Sequence, residues 1–201
     1  MFKQLSLAAS LFLLAMQPSA PTPATPAPDA PTYTATGDLN APTHYREWIY
    51  LTSGIDMSYT AQGASMSMFD NVFVNPTAYR SFLETGTWPD KTIMVLEVRG
   101  AEKPISINKH GHTQSVAIMG TEIHVKDHGK WSFYDLPDNA AAAKLIPPPA
   151  SCYTCHEQHA AVDTTFVQFY PTLLPLATQK HTLSPAYLQE IATPVASEPA
   201  K

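Results

Sequence analysis

Between residues 91 and 136 the apolar positions recur every second residue. The segments "KTIMVLEVRG" (91–100), "HTQSVAIMG" (112–120), "TEIHVKD" (121–127) and "KWSFYDL" (130–136) read at a period of two, punctuated by "HGH", "MGT" and "DHGK". That period predicts four successive strands, and the short connections favour antiparallel pairing. "SMSMFDNVFVNP" (65–76) is rich in β-formers and predicts another strand, with Phe69, Asn71 and Phe73 on one side. Elsewhere the period lengthens. "THYREWIYLTSG" (43–54) predicts a helix with Tyr45, Trp48, Ile49 and Leu51 on its apolar face. "NPTAYRSFLETG" (75–86) predicts a clearer one, with Asn75 as N-cap, Pro76 at the first helical position and Gly86 just past the end. "DNAAAAKLI" (138–146) predicts a third, stopped by Pro147, Pro148 and Pro149. A last helical stretch starts at the two cysteines and continues through "DTTFVQFYPTLLPLA" with a break at Pro171. The expected class is α+β: a mainly antiparallel sheet with flanking helices, the C-terminal one carrying the cysteines.

Composition sharpens this picture at the chain ends. Charged residues are 14% and hydrophobic residues 44% of the 201, a mix that can bury a core, and the net charge of −5 comes without any Lys/Arg cluster. A dedicated nucleic-acid surface is thereby excluded. The opening "MFKQLSLAASLFLLAMQPSA" has Lys3, an apolar run over 5–16 and small residues after it. This is the layout of a secretory signal peptide over 1–20, and the run is shorter than the roughly 20 residues a membrane span needs. Residues 21–36, rich in Pro, Ala and Thr, read as a solvated tether. One domain is expected over 37–185, followed by a flexible tail over 186–201.

Both cysteines of the chain lie in "SCYTCHEQHAAVDTTFVQFYP" (151–171), and His156 follows the second directly. A thioredoxin-like redox pair belongs at a strand end near a βαβ unit, which this motif is not. A structural zinc site wants a second ligand pair, and a disulfide closing so small a loop gains little. Cys-x-x-Cys-His in an exported chain fits covalent attachment of haem c through Cys152 and Cys155, with His156 as the proximal iron ligand. The expected cofactor is one haem c per chain. No methionine follows Met119, so a sixth ligand would come from Met57, Met66, Met68, Met94 or Met119, or from His181. The pattern leans toward an open, five-coordinate iron that small molecules can reach.

The stretches "YREWIYLTSG", "FDNVFVNPTAYRSFLETGTWPDKTIMVLEVR", "TEIHVKD…GKWSFY" and "SCYTCHEQHAAVDTTFVQFYPTL" resemble the cytochrome P-460 family, which also holds the β-sheet cytochromes c′ (cytochrome c′-β). The resemblance spans about 43 to 175 and implies a homodimer with one five-coordinate haem c per chain. Its enzymes oxidise hydroxylamine and carry a bond from a lysine nitrogen to the haem ring; its cytochromes c′-β lack that bond and bind nitric oxide and, more weakly, carbon monoxide. In the "TGxxxDxTxxVxE" pattern at 85–97 the lysine position holds Leu96, which argues against hydroxylamine oxidation. Glu122 matches a distal carboxylate that the resemblance implies in proton transfer. With Leu96 toward the haem, Met94 shares its side of the strand, and Phe69 and Phe73 are expected as an aromatic distal cap. Arg46 and Arg99 are candidates for haem propionates, His110 and His112 for a plain turn, and His159 for solvent.

The expected function is gas binding, buffering or sensing by a periplasmic cytochrome c′-β with an unknown redox partner. The alternatives are a hydroxylamine or nitric oxide oxidoreductase using Glu122, and a six-coordinate electron carrier.

Overall fold

The computed structural model describes residues 29–59 and 66–193. The expected signal peptide and most of the tether, and the last residues of the tail, lie outside the described residues. Seven strands form one antiparallel sheet: β1 (Leu39–Asn40), β2 (Ile49–Ile55), β3 (Met68–Val74), β4 (Ile93–Glu102), β5 (Thr113–Asp127), β6 (Lys130–Asp135) and β7 (Ala142–Ile146). Their order across the sheet is β1-β7-β6-β5-β4-β3-β2, a meander whose first strand returns to pair with the last. Four helices accompany it: α1 (Pro76–Thr85), α2 (Ser151–His159), α3 (Leu174–Lys180) and α4 (Pro185–Ala192). The architecture is α+β and mainly β, with the cysteine motif on a C-terminal helix. Among the described residues no helix is long and apolar enough to cross a membrane.

Several elements differ from the pattern-based expectation. Residues 43–54 hold only a single helical turn (Tyr45–Glu47) before β2 begins. The run of aromatic and β-branched residues from Trp48 to Thr52 suits an edge strand, and pairing with β3 decides the matter. The alanines of 138–146 have high helix propensity, yet 142–146 is β7, because β6 on one side and β1 on the other offer it backbone partners. The segments 112–120 and 121–127 join into one strand, β5, which continues past register shifts opposite Arg99. The cysteine helix stops at His159; the chain then turns, makes a helical turn at Val167–Phe169 and only afterwards enters α3. Residues 186–192, expected in a flexible tail, belong to α4. Its N-cap Ser184 accepts from the Tyr187 amide and donates to the Ala160 carbonyl, which ties it to the end of α2.

The sheet's two faces carry two cores. On one, Val74, Met94, Phe82 and Trp88 pack with Val167, Leu173 and Ala177 under α1 and α3. On the other, Leu39, Ile93, Val95, Ile123 and Tyr134 gather under the N-terminal segment. That segment reaches α1 as well: Asp29 accepts the Thr77 amide, doing the capping expected of Asn75. Asn75 instead turns to β4, accepting from the Ile93 amide and donating to the Lys91 carbonyl. Gly86 ends α1 at φ 77°, the left-handed conformation expected there.

Candidate haem site

The pleat sends alternate side chains to opposite faces, and on the helix-covered face the strands leave a hollow. Met68, Asp70 and Val72 of β3, Met94, Leu96 and Val98 of β4, and Glu122 and His124 of β5 wall a cavity of about 540 Å³. Cys152, Cys155 and His156 of α2 close it from above, with Phe166, Phe169 and Tyr170 at the side. The volume lies within the range of cofactor and ligand sites.

The sequence-derived candidates are thus mostly, not wholly, brought together. Met94, Leu96, Glu122, Cys152, Cys155 and His156 all border the cavity. Phe69 and Phe73 do not, and this is a correction: they alternate with Met68, Asp70 and Val72 and so face the opposite side of the sheet. There Phe73 packs edge-on against Tyr45 and Tyr50. Arg46 and Arg99 also lie on that far face, both bound to the buried carboxylate of Glu97, away from any cofactor in the cavity. His181 caps α3 and does not line the cavity. His110 and His112 are exposed beside the hairpin turn. His159, expected in solvent, is half-exposed and meets Glu190 at 3.1 Å. Asp70, His124 and Tyr59 were not singled out by the sequence reading. For Asp70 and His124 the signal was available in the alternation that puts Glu122 and Leu96 on this face.

The helix α2 is held to the sheet by Tyr153, the residue after the first cysteine. Its hydroxyl donates to the Ile146 carbonyl at 2.8 Å and accepts the Phe133 amide at 3.2 Å, closing the open end of the β6–β7 ladder. Tyr153→Phe leaves both backbone groups short of a partner. The expected cost is about 2 kcal/mol, read as a lower denaturant midpoint with unchanged slope.

His156 is oriented by the loop that follows. Its Nδ1 donates to the Thr164 carbonyl at 2.8 Å, which assigns the proton to that nitrogen and leaves the Nε2 lone pair free. Asp163 and Thr164 both have positive φ, 49° and 55°. For a β-branched threonine that is a strained conformation, here supported from two directions. Lys126 binds Asp163 and the Trp88 carbonyl, and the Trp88 indole donates to Thr165 at 2.8 Å. Around the imidazole stand Phe166, Phe133 and, edge-on at 5.0 Å, His124. Burial, with His124 adding to it, pushes His156 down to about 4, so the ring is neutral at ordinary pH.

The cavity wall is apolar with an acidic element. The adjacent His124, whose Nε2 is 3.8 Å from Glu122 Oε2, holds the Glu122 carboxyl below its usual range against the push of burial. Asp70 is pushed up by burial and then by Glu122, and Tyr59 by burial, Asp70 and Cys155.

The profile of the cytochrome P-460 family matches residues 42–167, which span β2 to β7, α2 and the His156-orienting loop. The chain belongs to the cytochrome P-460 family. No curated protein matches it. Membership makes this a haem protein, and the donor set of the cavity fits that cofactor. Two free thiols and an imidazole with an open Nε2 stand on one helix, facing apolar walls. Among the described residues no three His, Cys, Asp or Glu side chains cluster as a metal-holding group.

Proposed function

We propose that this cytochrome P-460 family protein is an exported mono-haem c-type cytochrome of the c′-β type, with five-coordinate iron that binds nitric oxide and, more weakly, carbon monoxide. The observation that carries the reading is the arrangement of α2: Cys152, Cys155 and His156 border one cavity while Thr164 reserves His156 Nδ1. Cys152 and Cys155 would hold the haem by thioethers, and Nε2 of His156 would ligate its iron. The haem supplies the iron that takes up the gas. Leu96 borders the cavity; the resemblance of the 85–97 pattern would put it where the family's enzymes carry their cross-linking lysine, and leucine has no nitrogen to form that bond. Val72, Leu96 and Val98 exclude water from the wall, and Glu122 supplies a carboxylate that tunes the hydration of a ligand. Periplasmic location, homodimer formation and a redox partner belong to the same reading.

A second reading, a six-coordinate electron carrier, is favoured by one observation: the thioethers of Met57, Met68 and Met94 all border the cavity. Absorption spectra of the ferric and ferrous protein, before and after nitric oxide, separate the two. A high-spin ferrous spectrum that changes with nitric oxide, without the red-shifted band of a cross-linked haem, is the expected result. A low-spin spectrum indifferent to nitric oxide would replace it with the electron carrier.

A further inference from the structure

Among the described side chains that line the cavity two are carboxylates, Asp70 and Glu122, and none is a Lys or Arg. The arginines that neutralise a carboxylate on this sheet, Arg46 and Arg99, are spent on Glu97 across the sheet. Glu122 has the His124 imidazole 3.8 Å away, whereas Asp70 forms no ion pair among the described residues. The remaining titratable groups there are Tyr59, Tyr170, His156 and the two cysteines. Asp70 and Glu122 sit on β3 and β5, opposite Val98 and Leu96 of the strand between them, so they flank β4 on the same face.

We infer that Asp70, together with Glu122, makes this cavity anion-excluding, so that iron held there takes neutral or cationic small ligands in preference to anions. The inference rests on the haem reading above. The reason is Coulombic: negative charge on the cavity wall opposes a second one entering a site walled mainly by apolar side chains. The same field stabilises the ferric over the ferrous state. Asp70 is then a specificity-determining residue, since a neutral ligand such as nitric oxide does not feel the repulsion.

The test uses the full haem-loaded protein, with azide as anionic probe and nitric oxide as neutral probe. Asp70→Asn, nearly isosteric, should raise ferric azide affinity about tenfold at moderate salt. It should also raise the reduction potential, and change azide affinity by a clearly larger factor than nitric oxide affinity. Glu122→Gln should shift azide in the same direction, and covers the case in which the first variant fails to fold. Azide affinity and potential both unchanged, with nitric oxide still bound, would overturn the inference and leave the gas-binding reading standing. A wild-type protein indifferent to both probes would overturn the two together.

Discussion

A chain in which Cys152 and Cys155 are both alanine emerges from a haem-c-competent host with no haem that survives denaturation. The wild-type chain should keep one through a denaturing gel and show the added mass by mass spectrometry. The reason is local. α2 places both thiols on the cavity wall, unpaired with each other, so thioether bonds would be the means by which this helix retains the proposed cofactor. His156→Ala separates attachment from ligation: it keeps the covalent haem and changes the iron's spectrum. The double cysteine variant should also melt earlier. Its cavity walls, built by Val72, Met94, Leu96 and Val98, lose the packing partner that a tightly held cofactor supplies. Covalent haem persisting in the double variant would sink the assignment of those two residues.

Glu97→Gln should be among the most destabilising single changes, although the residue lies on the face away from the cavity. Glu97 is 3% exposed and accepts from Tyr45, Arg46 and Arg99. It thereby fastens the N-terminal segment to the middle of β4. Removing one partner of a buried ionic cluster strands the others, at about 3–5 kcal/mol, or roughly 10 °C in melting temperature for a domain of this size. The pH dependence has a definite sign. Burial alone would raise the Glu97 pKa, but Arg99, Tyr45 and Arg46 outweigh it and the folded value lies below the ordinary 4.5. The stabilisation is therefore complete above pH 4.5 and lost as pH falls through the lower, folded value. The melting gap between wild type and Glu97→Gln should be constant near neutrality and narrow in acid. A gap that is small at pH 7, or that widens on acidification, would show that the cluster does not hold this segment in place.

How much of this was legible beforehand differs from element to element. The strand regions of β4 to β6 could be read because β-forming runs near a period of two fit strands, although β5 read as two, and α1 could be read because Pro76 and Gly86 mark its ends. The strand β7 could not, because a run of alanines prefers helix until two neighbouring strands are present to pair with it. The site shows the same division. The proposed attachment residues announce themselves, since Cys-x-x-Cys-His carries its chemistry in five positions. The wall does not. Choosing Phe69 and Phe73 over Met68 and Asp70 required knowing which face of β3 meets α2, and a shift of one residue exchanges the two sets.

By itself, then, the sequence determined the local quantities of this protein: the periods of its strands, the ends of α1, and the two thiols and imidazole at the start of one helix. These follow from interactions between residues close along the chain. The tertiary structure alone decided which face of the sheet that helix covers. It also decided that Thr164 reaches His156 Nδ1, that Arg46 and Arg99 serve Glu97, and that Asp70 enters the cavity beside Glu122. Each depends on register between strands and on residues tens of positions apart. Such contacts are selected by the burial of whole faces, a sum that no short window of sequence contains.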